Sequence, residues 1–244
     1  MGNAEQAIEQ FCSYFTRETE EIARLAVSPI DGNGEASAAR RLLYGKVLYL
    51  TMLDTLAGVR FHKKSYPDLS KQNRARFTRF VIDHCSWAEA ELVSLPFLLE
   101  KHAELKLEML PLGQHVSDRL AQFSTQNGGT LAVSKLDEQA SELLARASCE
   151  KEEAAIHEYQ HLALLYRYRN RLIHESRQPG YAMEVFAESA APYYHGYLGE
   201  RSWYLGYPLA MFEHLLRNAI DSFRSHLVAN SINPYSLLDN AQRW

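Results

Sequence analysis

Residues 134–176, SKLDEQASELLARASCEKEEAAIHEYQHLALLYRYRNRLIHES, are rich in Ala, Glu and Leu, residues that lose little on entering a helix. The stretch reads as one interrupted helix or two consecutive ones, stopped at Pro179-Gly180. Upstream, residues 3–26 are helix-compatible, and SPIDGNGEAS at 28–37 breaks them with Pro, Gly, Asp and Asn. Leu43, Val47, Leu50, Ala57 and Phe61 then fall on one helical face, with Asp54 on the same stripe as a partner for a cation or as an acid. A further helix is expected from about 71 to 100, with Pro96 near its end. STQNGGT at 124–130 is a turn, and APYYHGYLGERSWYLGYP at 191–208 is an aromatic, Gly/Pro-rich loop or hairpin. A last helix is expected from about 208 to 228. With no alternating strand series, the expected class is all-α, a helical bundle forming one domain over 1–244. The N-terminal helices within 1–37 are expected to be peripheral, and the signature helix to span about 150–178.

The chain of 244 residues is 46% hydrophobic, enough to bury a core. Its net charge is −4, so attraction for nucleic acid or an anionic surface has to come from a local patch. The start MGNAEQAIEQF has no basic region followed by an apolar run, and no stretch reads as the roughly 18 apolar residues of a spanning helix. Cys12, Cys85 and Cys149 form neither pairs nor a CxxC. These features predict a soluble, reduced, cytoplasmic protein with no membrane partner.

At the end of this stretch and just beyond it, YRYRNRLIHESRQPG at 166–180 holds a local basic patch: Arg167, Arg169, Arg171 and Arg177 against Glu175 leave a charge near +3. Eight of the 14 tyrosines lie between 166 and 207, beside Trp203. Tyr166 and Tyr168, among these arginines, are candidates to stack unpaired bases, or else pack a loop onto its domain. An Arg followed after four residues by His is weak by itself, and Arg79–His84 shows the same spacing. Just upstream, HEYQH at 157–161 fits HExxH, which on a helix aims two histidines at one zinc. Its extended form fails, because Leu164 stands for the Gly and Arg167 for the third His. His157 and His161 are therefore read first as helix-face residues and only second as metal ligands, and neither metal nor cofactor is expected.

YRNRLIHE resembles the signature of HEPN domains, small helical bundles in which Arg, a polar residue and a following His form a metal-independent RNase site. The resemblance covers this signature and its helical setting, about a third of the chain. It implies an endoribonuclease of the toxin or phage-defence type, acting on RNA as a homodimer, with an antitoxin or regulatory partner. Arg169, Asn170 and His174 would be catalytic, with Arg167, Arg171, Arg177, Tyr166 and Tyr168 binding RNA. Some toxins of the family carry a modifiable tyrosine two positions after the histidine; Ser176 stands there, so that control is not implied.

The helical wheel puts Asn170 and His174 about 40° apart and Arg169 about 140° from His174. A two-fold dimer would let Arg169 of one chain approach His174 of the other. Cleavage without metal needs a base for the 2′-hydroxyl proton, a donor for the leaving oxygen and a cation for the phosphorane. Histidine can take either proton role, and arginine can grip phosphate bidentately. Two other readings remain open from the residues: a helical binding or regulatory module whose basic helix end satisfies loose carbonyls, and an HExxH zinc metalloprotease.

Overall fold

The computed structural model describes residues 3–27, 34–123, 128–175, 184, 189–200 and 202–238. Helix dominates these residues, in agreement with the all-α expectation. By its contacts the chain gathers into two compact units. The first comprises Met1–Trp87, Leu172–Arg177 and Phe212–Trp244, and the second Ala88–Arg171 and Gln178–Met211.

In the first unit, α1 (Asn3–Val27) is amphipathic: Ile8, Phe11, Cys12, Phe15, Thr19 and Ile22 recur every three or four residues and are buried. It packs along α2 (Gly34–Arg60), and Tyr49 of α2 donates its hydroxyl to the Thr19 carbonyl at 3.3 Å. The N-terminal helix is thus part of this core and not peripheral. Phe11 meets Phe223 of α10 (Leu209–Ala229) edge-on at 6.5 Å, and Phe80 of α3 (Asn73–His84) meets the same ring at 5.9 Å. Fully burying such side chains contributes about 1.5–3 kcal/mol each. Helix α2 is apolar on more than one side. Over Arg40–Arg60 its mean hydropathy of 1.3 and its length match those of a membrane span, which the reading of the sequence did not anticipate. Tyr49, Leu50, Leu53 and Leu56 of that stretch are buried in the fold.

The helix expected over 71–100 is two elements. α3 ends at His84, and α4 (Leu95–Leu105) begins with Pro96 in its first turn. Proline is well placed there, because the first N–H groups of a helix have no intrahelical acceptor to lose. Ahead of α4 lies β1 (Leu92–Val93), paired antiparallel with β3 (Glu138–Gln139).

The second unit adds α5 (Pro111–Ala121), α6 (Val133–Leu136), α7 (Ala140–Leu144), α8 (Glu150–Glu158) and α9 (His161–Glu175), the last as far as Arg171. Leu98, Leu112, Val116, Leu143 and Ile156 form one apolar cluster here. The aromatic stretch supplies β4 (Tyr193–Gly196) and β5 (Tyr204–Gly206), a hairpin that takes β2 (Gly129–Ala132) as its third, antiparallel strand. The residues at 129–132 followed a turn signal and carried too short a pattern to be read as a strand. As the central strand, β4 is buried along its whole length, and its Tyr194 joins Leu92, Val133 and Leu136 in a second cluster.

Candidate functional site

The signature helix expected over 150–178 is broken. α8 stops at Glu158, Tyr159 caps it with φ −105° and ψ 13°, and Gln160 forms an isolated bridge with Val93. Only then does α9 begin, with His161, Leu165, Tyr168 and Leu172 as its buried stripe. Arg171 and His174 are exposed, whereas Arg169 and Asn170 are half-buried. Arg169 donates Nη1–H to Asn170 Oδ1 at 2.8 Å and lies 5.8 Å from the Tyr166 ring centroid. That bond orients the Asn170 amide, turning its donor nitrogen away from the guanidinium.

The expected RNA-binding set divides. Arg167 donates to the Glu158 carboxylate at 3.1 Å and to the Glu158 carbonyl at 2.8 Å, with its guanidinium over the Tyr159 ring. It therefore satisfies the C-terminal end of α8. Tyr168 is only 6% exposed and packs edge-on against Tyr207 at 5.3 Å, which leaves no ring face for a base. Tyr166 is half-buried, Arg171 is exposed, and Arg177 lies outside the described residues.

The break in the helix also decides the HExxH pattern. Its two histidines do not share a helix, so the i, i+4 geometry that would aim them at one ion is missing. His157 is exposed, but His161 is fully buried, not a helix-face residue. Among the described residues no group of three His, Cys, Asp or Glu side chains is arranged as a metal set. We expect His157→Ala to change stability by no more than about 0.5 kcal/mol, as surface substitutions do. Chemical denaturation checks this, and a loss of several kcal/mol would show that the ring has a structural task.

His161 instead belongs to a buried polar network within the second unit. Its Nε2–H donates to Asp137 Oδ2 at 2.7 Å, and its Nδ1 lies 3.1 Å from the Tyr207 hydroxyl. The Tyr194 hydroxyl is 2.8 Å from Asp137 Oδ2 and 2.7 Å from Ser94 Oγ. Having one proton, it donates to the carboxylate and accepts from Ser94. Asp137 Oδ1 accepts the Leu95 N–H at 3.1 Å, so this carboxylate caps the start of α4 from 42 residues away. Burial pushes the Asp137 carboxyl up, opposed by its bonds to His161, Leu95 and Tyr194. Burial likewise holds both tyrosine hydroxyls protonated. Ser94, Asp137 and His161 are the residue types of a nucleophilic triad, but the serine contacts Tyr194 rather than the imidazole, and all three are buried. The network ties α4, α9 and β4 together and has no opening for a substrate.

In the first unit the second Arg-x4-His pair also resolves into structure. His84 is buried; Arg60 Nε–H donates to its Nε2 at 3.3 Å, and its Nδ1 lies 2.9 Å from Ser222 Oγ. Arg79 instead faces the Phe61 ring at 5.1 Å and Asp83 at 3.7 Å.

A basic run passed over in the sequence lies close by. Between Arg60 and Arg79 there are seven Lys and Arg residues and one acid, Asp68, a local charge of +6 in a chain of net −4. The same part of the first unit holds a cavity of about 240 Å³. A count of charges along the chain shows the run, whereas the cavity exists only once α2, α3 and the 3₁₀ turn at Pro234–Leu237 are assembled.

No protein-family model matches the chain, and no curated protein or solved structure matches it significantly.

Proposed function

We propose that this protein is a metal-independent endoribonuclease of the HEPN type, acting as a homodimer, with Arg169, Asn170 and His174 as its site. One observation carries the reading: His174 is exposed in the last turn of α9, one turn beyond an Asn170 amide held by Arg169. In this reading the guanidinium of Arg169 grips the scissile phosphate and Asn170 donates to a non-bridging oxygen. His174 moves a proton while the 2′-oxygen bonds to phosphorus and the bond to the 5′-oxygen breaks. The 2′-hydroxyl proton leaves to a base, and the 5′-oxygen receives one from an acid. A two-fold dimer supplies the second histidine for the other proton role. Arg171 adds positive charge for the strand.

The test is cleavage of a labelled RNA pool in excess EDTA by wild type, His174→Ala and His157→Ala. We expect wild type and His157→Ala to cut, and His174→Ala to lose at least 100-fold in rate, the usual scale of a general acid or base. A second reading is a helical binding or regulatory module without chemistry. It is favoured by the structural engagement of Arg167 and Tyr168, two members of the expected RNA-binding set. RNA left intact by wild type at every concentration would select it.

A further inference from the structure

The 240 Å³ cavity of the first unit is lined by His62, Lys63, Ser70 and Arg76, with Leu237 as an apolar wall and Gly58 of α2 at its side. Among the described residues that line it there is no carboxylate. Arg76 stands in the first turn of α3, where its guanidinium bonds the neutral Asn73 side chain; among the described residues no carboxylate lies within 4 Å of it. The N-cap residue of α3, Gln72, makes no side-chain cap, so the positive end of the helix dipole is not offset there by a side chain. Lys64, Lys71 and Arg74, on the same run, also have no carboxylate within 4 Å among the described residues. Arg76 in the lining, with Lys64, Lys71 and Arg74 on the same run, gives this small concave site a positive potential in a chain of net charge −4.

We infer that this cavity binds a phosphomonoester, the terminal phosphate of a nucleotide or of an RNA strand. Arg76 supplies a planar fork for two phosphate oxygens, and the Ser70 hydroxyl offers a neutral donor. A dianion suits this convergence better than a single carboxylate, because the local excess of cations exceeds one charge. The volume is below that of typical drug-sized pockets, so the phosphate and an attached sugar fill it while the base lies outside. The inference does not depend on the nuclease reading: none of Arg169, Asn170 and His174 lines the cavity.

Gly58 offers a way to close the site without touching its charges. A Cβ built there meets nothing within 4 Å, so Gly58→Met can extend into open space, and it removes a glycine from a helix. Calorimetric titration of wild type, Arg76→Gln, Gly58→Met and the off-site control Arg146→Gln, an exposed arginine of the second unit, with AMP and with adenosine tests the proposal. RNA oligomers bearing a 5′-phosphate or a 5′-hydroxyl form the second arm, measured on the His174→Ala protein so that cleavage does not intervene. We expect a phosphorylated probe to bind at least 10-fold more tightly than its unphosphorylated partner. That preference should be lost in Arg76→Gln and Gly58→Met and kept in Arg146→Gln. Discrimination by AMP alone identifies a free nucleotide as the ligand, and discrimination confined to RNA identifies a strand end. No preference in either arm, or a preference unchanged in Arg76→Gln, overturns the site. Thermal unfolding of each variant confirms that it is folded, and Arg76→Gln carries the test should Gly58→Met not be.

Discussion

Asp137→Ala is expected to cost roughly 3–5 kcal/mol of unfolding free energy, the scale of leaving several buried donors unpaired. The substitution leaves three donors without their acceptor in a dry interior: His161 Nε2–H, the Tyr194 hydroxyl and the Leu95 amide. Each unsatisfied group contributes about 1–3 kcal/mol of desolvation cost. Denaturant unfolding measures the total, and amide exchange of Leu95 reports the loss locally, because that N–H no longer has a carboxylate cap. The double variant Asp137→Ala/His161→Ala should cost less than the sum of the single changes, since the second removes a group the first left stranded. A loss below about 1 kcal/mol, or strict additivity in the pair, would mean that the network does not act as one unit.

The second large effect is acid destabilisation of the first unit. Burial, reinforced by the neighbouring Arg60 charge, pushes His84 down to about 4. Its folded value therefore lies below that of the unfolded chain, near 6.5. The unfolded state binds the proton first, so the stability linked to neutral His84 is present above about pH 6.5 and is lost as pH falls toward 4. The shift corresponds to up to about 3 kcal/mol. The hydrogen bonds agree, since a neutral ring can accept from Arg60 at Nε2 while donating to Ser222 from Nδ1, which an imidazolium cannot do. Asp83 opposes the shift, and His226, 6.0 Å away ring to ring, is itself pushed down by burial and by Arg60. Unfolding free energy measured between pH 7.5 and 4 should fall steeply for wild type. The slope should be shallower for His84→Gln, and flattest when His226→Gln is added. An unchanged slope in the double variant would place the acid sensitivity elsewhere.

These two clusters show where local reading of the chain succeeds and where it fails. The helix-compatible composition of α1 and α2 is a property of neighbouring residues, and it yields the helical class, whereas the stop expected at Pro179-Gly180 lies outside the described residues. Local pattern places Pro96 at the end of a helix, whereas it stands in the first turn of α4, because proline is compatible with both a helix stop and a first turn. What selects the first turn is a cap supplied by Asp137, which no local pattern around Ser94 announces. HEYQH looked like one helical turn for the same reason. Gln160 is drawn into a bridge with Val93, 67 positions earlier, and the motif is cut in two.

The candidate site divides along the same line. That Arg169, Asn170 and His174 sit on the last turns of a helix, beside a concentration of arginines, is legible from spacing alone. That Arg167 caps α8 and Tyr168 is core is not, since Tyr207 lies 39 positions along the chain from Tyr168. The charge of the 60–79 run is likewise written in composition, but its concave shape is not.

The sequence by itself determined the helical class, the basic end of α9 and the excess of cations between α2 and α3, because helix periodicity and charge are set by residues within a turn or two. Only the tertiary structure decided which polar side chains are buried, which helix Pro96 begins, and that His161 serves Asp137 rather than a metal. Those outcomes depend on donors and acceptors brought together from distant segments, where leaving a buried group unpaired costs more than any local preference of the chain.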